Sequence, residues 1–179
     1  PARWGDIAVL ARSRSGFDAL AAAMRRNDIP FVINSGTGYY ERQEILDMRS
    51  FLLFLQNCND DIALAAILRA PFFGVDDTEL YNISVCTGGS LWERVQDYYK
   101  TYGNSGCSRS FLRAWTILTE LLPLAPRLTI PSLLRLILSR TAWRGMIAGD
   151  ERYEQMQANV EKLLSLAREF EGKGFRNAL

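Results

Sequence analysis

The residues that could do chemistry in this chain are few, and their types narrow the choice at once. Histidine is absent and the three cysteines, Cys58, Cys86 and Cys107, are widely spaced without a CxxC pair. The commonest general base, Ser-His and Cys-His nucleophile pairs, a structural zinc site and disulfide stapling are therefore all disfavoured. Carboxylates remain, yet Asp60-Asp61 and Asp76-Asp77 each stand just ahead of a helical pattern, where an N-cap explains them. No GxxxxGKS/T phosphate loop occurs, so the usual backbone cradle and lysine for ATP are missing. No catalytic residue, no metal site and no cofactor site is expected in this chain.

Contact residues are a different matter. Arg12 and Arg14 leave the end of the apolar run Ile7 to Arg12, where an α/β sheet places its ligands. Tyr39-Tyr40-Glu41-Arg42-Gln43-Glu44-Ile45 sets two aromatic rings beside a cation at a helix start. Such rings can stack on nucleobases or staple the helix to the element before it, the second being the commoner role. Ala70-Pro71-Phe72-Phe73-Gly74-Val75 sets a glycine before an acidic helix cap.

The elements that must position these groups follow from periodicity. Ile7 to Arg12 and Ile29 to Ile33 are short apolar, partly β-branched runs around a helical stretch with Phe17, Leu20, Ala21 and Met24 on one face. This predicts a βαβ unit with parallel strands and a right-handed crossover. After Gly38 the period is 3.6: helices are expected over 41–58, 62–69, from Asp76 with Glu79, from Ser90 with Glu93 to about Gly103, from Ser108 to Pro123, over 129–139 and over 150–171. Asn104 to Cys107 reads as a loop, as do Arg144-Gly145 and Ile147 to Gly149. The predicted class is α/β, a small βαβ piece (1–38) followed by a mostly helical unit (39–179) with the boundary at Gly38.

Taken in order, the run ending at Arg12, the Tyr39 to Ile45 motif and the Pro71 to Leu80 loop resemble superfamily 1 DNA helicases of the UvrD type, in the AddA or RecB-like branch. The resemblance implies that 1–38 form part of the second RecA-like motor domain and 39–179 part of its inserted helical subdomain. It places Arg12, Arg14, Tyr39, Tyr40, Arg42 and Gly74 as DNA contacts, with Arg14 standing where the family has an asparagine. In the third motif Phe73 replaces the family's arginine and Asp76 its second glycine, which weakens phosphate contact and favours Asp76 as a helix cap. Arg42 with Glu44 is expected as an interdomain ion-pair set. Arg152 to Gly174 resembles the helix that continues the inserted subdomain, while Arg109, Arg113, Arg127, Arg135, Arg140 and Arg144 supply scattered positive charge.

What is implied is a fragment of an ATP-dependent DNA helicase, or helicase-nuclease, of repair and recombination. The parent would use ATP and Mg2+, hold single-stranded DNA and duplex near the junction, and work with a nuclease or helicase partner. Unpaired edges and faces on a lone pair of parallel strands independently suggest a piece of something larger, as does a chain running from Pro1 to Leu179. The alternative is a self-contained helical protein-interaction module with Trp92, Trp115 and Trp143 in its core or groove. With 21 basic and 20 acidic residues and 48% hydrophobic content, no global field draws the chain to nucleic acid, and any DNA contact must be local. No apolar run is long enough for a membrane span, and a cytoplasmic location is expected.

Overall fold

The computed structural model describes residues 3–10, 16–32 and 38–172. Among these residues the secondary structure is entirely helical. The helices are α1 (Phe17–Arg26), α2 (Gln43–Gln56), α3 (Asp61–Arg69), α4 (Asp77–Ser84), α5 (Leu91–Gly106), α6 (Arg109–Leu121), α7 (Ile130–Arg140), α8 (Trp143–Met146) and α9 (Tyr153–Gly172), with short 3-10 turns at Trp4–Asp6 and Ala125–Arg127.

The expected α/β class is therefore wrong, and with it the assignment of 1–38 to a RecA-like motor domain carrying an inserted subdomain. The described parts of the two apolar runs, 7–10 and 29–32, form no strand, and no ladder hydrogen bond joins them. The physical reason is visible in their exposure: Leu10 is 95% exposed, Ile7 61%, Val9 52% and Val32 43%. β-propensity describes how well a side chain fits a pleated, half-buried surface, and no second layer covers these positions. Among the described side chains of α1, only Ala21 is buried. The crossover helix of the expected unit forms, but no sheet forms among the described residues.

From α2 onward the helices fall near the expected spans, except that Arg144-Gly145, expected as a loop, lie within α8. Helix α2 is the hub, packed on one side against α3 and on another against α9. Its Met48, Phe51 and Phe54 are fully buried. Phe51 meets Phe72 edge-on at 5.1 Å and Phe73 at 5.9 Å, so the loop after α3 is pinned into the core by its two phenylalanines. Tyr99, Trp115 and Trp92 form a stack, with centroids 4.4 and 5.7 Å apart, between α5 and α6. Trp143 anchors α8 at 1% exposure.

Caps set the helix starts. Asp60 accepts from the Ala63 amide at 2.9 Å, Asp76 from Glu79 at 2.8 Å, and Ser108 from Phe111 at 3.0 Å. Asp61 instead accepts from the Leu91 amide at 2.7 Å, which ties the start of α3 to the start of α5. The loop expected from Asn104 is not there. Asn104 to Gly106 continue α5 beyond a break at Gly103, whose φ of +58° and ψ of −161° interrupt the helix without ending it.

Candidate functional site

The start of α2 is where sequence and structure converge. Gly38, at φ +99°, turns the chain so that the Glu41 amide bonds back to its carbonyl at 3.2 Å. Arg42 occupies the N-cap position but provides no side-chain cap. This geometry sends Tyr39, Glu44 and Asp47 toward the body of the protein and leaves Tyr40 and Arg42 outside.

Three groups from Tyr39 to Asp47 are absorbed by the fold. The Tyr39 hydroxyl donates to the main-chain carbonyl of Asn159 at 2.8 Å, and the Asn159 Nδ2 donates to Glu44 Oε1 at 2.5 Å. Both side chains of that second bond are buried, Glu44 at 5% and Asn159 at 6% exposure. Gln155 Nε2 donates to the Asn159 amide oxygen at 3.0 Å, while Gln43 Nε2 donates to Asp47 Oδ1 at 2.7 Å. A buried carboxylate costs several kcal/mol unless it is hydrogen-bonded, so this lattice is what permits Glu44 to lie inside. The joint spans 115 and 120 residues of sequence and fastens α2 to α9.

Electrostatics reinforce the joint. Burial, then the neighbouring Tyr40 and Glu44, pushes the Tyr39 phenol up to about 12, so it stays a neutral donor throughout the physiological range. The Lys162 ammonium lies 4.6 Å from the Tyr39 ring centroid, and Tyr40 meets that ring edge-on at 5.1 Å. Asp47 is raised above its ordinary carboxylate value, chiefly by burial and further by Glu44, with the Gln43 bond opposing.

The expected contact residues fall into different surroundings. Tyr39 is committed to α9, with a cation on one ring face. Tyr40 is 67% exposed and Arg42 is exposed, making no ion pair among the described residues. Of the two residues expected in an interdomain ion-pair set, Glu44 turns inward to Asn159 and does not pair with Arg42. Gly74 is exposed at φ +64° on the loop before α4, its amide bonded to Ala70 O at 2.9 Å. Phe73, standing where the resemblance has an arginine, is 2% exposed and serves the core. Arg12 and Arg14 lie outside the described residues.

A third buried carboxylate, beside Glu44 and Asp47, was not anticipated. Glu79, 6% exposed, accepts from the Ser108 amide at 2.9 Å, from the Ser108 hydroxyl and from the Tyr98 hydroxyl at 3.4 Å. Instead of closing a capping box on Asp76, it holds the start of α6 against α4. Burial first, and then Glu79, raise the Tyr98 phenol to about 12 and push the Cys107 thiol up. Neither shift activates a nucleophile, and the Tyr98 hydroxyl serves as a donor to Glu79. No group of three His, Cys, Asp or Glu among the described residues could hold a metal, and no helix there is long and apolar enough to cross a membrane.

Among the described residues the body is all helical and its opening motif is spent on internal bonding, and comparison with known proteins gives it a family. Residues 2–105 match the model of the UvrD-like helicase C-terminal domain, and the chain belongs to that family. It is 30% identical, over 98% of its length, to an ATP-dependent helicase/nuclease subunit of Listeria innocua serovar 6a. The corresponding figures are 31% over 97% for the like-named protein of Oceanobacillus iheyensis, and 30% over 98% for that of Lactiplantibacillus plantarum. The chain spans about 14 to 15% of the length of these relatives. Relationship to the helicase-nuclease family thus holds, while the RecA-like assignment within it does not.

Proposed function

We propose that residues 39–172 act as a helical interaction module within an ATP-dependent DNA helicase-nuclease, set off at Gly38 from the segment before it. The observation that carries this reading is the Tyr39–Glu44–Asn159 joint. It spends the polar groups of the motif on fastening α2 to α9, so the module offers a rigid body whose outer surface meets other parts of the machine. Nucleotide handling, with ATP and Mg2+, falls to other parts of the parent, as do DNA unwinding and contact with any nuclease partner. The near balance of charge supports a protein-facing role, because a dedicated polyanion binder carries a basic field.

One observation favours a second reading, in which the module also touches DNA. Tyr40 is exposed beside Arg42, which has no ion-pair partner among the described residues, leaving one ring and one guanidinium available where the family resemblance puts nucleic acid. The family resemblance adds Gly74, Arg12 and Arg14 as further DNA contacts. The two readings separate by fluorescence anisotropy on a labelled single strand over a salt series. The DNA reading expects Tyr40→Ala to weaken binding by about 1–3 kcal/mol, and Arg12→Ala with Arg14→Ala to flatten the log K against log salt slope by roughly 1.4. The interaction-module reading expects no such dependence on these residues. It also expects calorimetric titration with Mg-ATP to give no saturable heat, and micromolar binding there would refute the division of labour.

A further inference from the structure

A cleft of about 550 Å3 opens where α7, α8 and α9 meet. Three arginines are among its lining residues, one from each helix: Arg135, Arg144 and Arg168. Leu138 and Leu164 form apolar wall, and Glu161 is the one carboxylate on the lining. The volume falls in the ordinary range for small-ligand sites, about 300–1,000 Å3.

The fold fixes the position of Arg144. Ala142 takes a left-handed conformation, φ +47°, that reverses the chain between α7 and α8. The turn is held by buried Thr141, whose hydroxyl donates to Ile137 O at 2.8 Å and whose carbonyl accepts from the Arg113 guanidinium. Buried Trp143 then fixes α8 beside the cleft. Arg113 is thereby spent on structure, and Arg140 pairs with Glu120 at 2.7 Å.

Inside the cleft the charges do not balance. Glu161 pairs with Arg144, while Arg135 and Arg168 have no acidic partner among the described residues. We propose that this cleft is a binding site for a phosphoryl anion, held by Arg135, Arg144 and Arg168. A planar carboxylate is satisfied by one guanidinium, as Glu161 already shows with Arg144. Arginines contributed by three helices around one cleft offer more N–H donors than a carboxylate uses, and a tetrahedral group with oxygens directed several ways can engage them together. The anion would compete with Glu161 for Arg144, so Glu161 tunes affinity downward.

The proposal uses residues other than Tyr40, Arg42 and Gly74, and its failure leaves the interaction-module reading intact. It is tested by calorimetric titration of the whole chain with inorganic pyrophosphate at constant ionic strength. Saturable binding is expected in wild type. Replacing Arg135 and Arg168 together by alanine should weaken it at least about tenfold, since both arginines are exposed and the fold does not depend on them. Glu161→Gln should tighten it severalfold, and Arg140→Ala, outside the cleft, should leave it unchanged. A short single-stranded oligonucleotide added in competition identifies the source: displacement assigns backbone phosphate, and persistence of pyrophosphate assigns a free phosphoryl compound. Absence of saturable binding in the millimolar range, or an equal loss in the Arg140 variant, overturns the site.

Discussion

Removing the amide of Asn159 should destabilise the fold far more than loss of a surface asparagine would. Its Nδ2 is the donor to buried Glu44, and both residues are almost entirely sequestered from water. A hydrogen bond to a charged group contributes about 1.5–3 kcal/mol, and the carboxylate left behind would also lack its compensating donor. Asn159→Ala should therefore cost about 3 kcal/mol, or roughly 6–12 °C in Tm for a domain of this size. Glu44→Gln keeps an acceptor oxygen for Nδ2 and should cost no more than about 1 kcal/mol, whereas Glu44→Ala should approach the loss seen at Asn159. The assay is urea unfolding followed by tryptophan fluorescence and far-ultraviolet circular dichroism, run as a double-mutant cycle with Glu44→Ala and Asn159→Ala. A coupling energy of about 1.5–3 kcal/mol is expected for residues sharing one buried bond. Additivity within about 0.5 kcal/mol would refute the joint, because independent sites behave that way.

Three further expectations rest on single residues. The folded-state pKa of Asp47 is raised, so its charged form opposes folding in full at neutral pH, and that opposition fades as pH falls through the raised value. Asp47→Asn, which still accepts from Gln43, should gain stability near pH 7, and the gain should shrink toward about pH 4 in unfolding curves across that range. Gly74→Ala should cost about 1–2 kcal/mol from left-handed strain alone, since a Cβ there meets nothing within 4 Å, and Gly74→Asn should cost less; thermal unfolding reads both. Ala142→Gly removes the same kind of strain at φ +47°, against the greater freedom of glycine when unfolded, and should raise stability by up to about 1 kcal/mol in the same assay.

Much of the helical part was legible in the chain because its signals are local. Capping residues Asp60, Asp76 and Ser108 mark helix starts without reference to anything distant, and the apolar faces of α2 and α6 repeat every three to four residues. Ile7 to Leu10 and Ile29 to Val32 misled because a strand depends on partners the local sequence does not contain. The motif Tyr39 to Ile45 was legible as a unit, but its role was not, since the atoms that answer it lie on α9. A clue existed: Asn159 interrupts the apolar stripe of Met156, Val160 and Leu163, and a polar residue on a buried face implies a buried partner. Glu79 carried the opposite bias, because its position three residues after Asp76 fits a capping box, and only the approach of α6 redirects it to Ser108. Of the three-arginine cleft, Arg135 and Arg144 read as scattered charge in one dimension, and nothing local in the sequence ties them to Arg168 of α9.

The central claim is that the Tyr39 to Ile45 motif and α9 form one cooperative unit. Native-state hydrogen exchange followed by mass spectrometry tests it most directly, comparing wild type with Asn159→Ala. If the claim holds, amides of α2 and of the middle of α9 exchange with a common free energy in wild type, and both lose protection together in the variant. Loss confined to α9, with α2 protected as before, would contradict it.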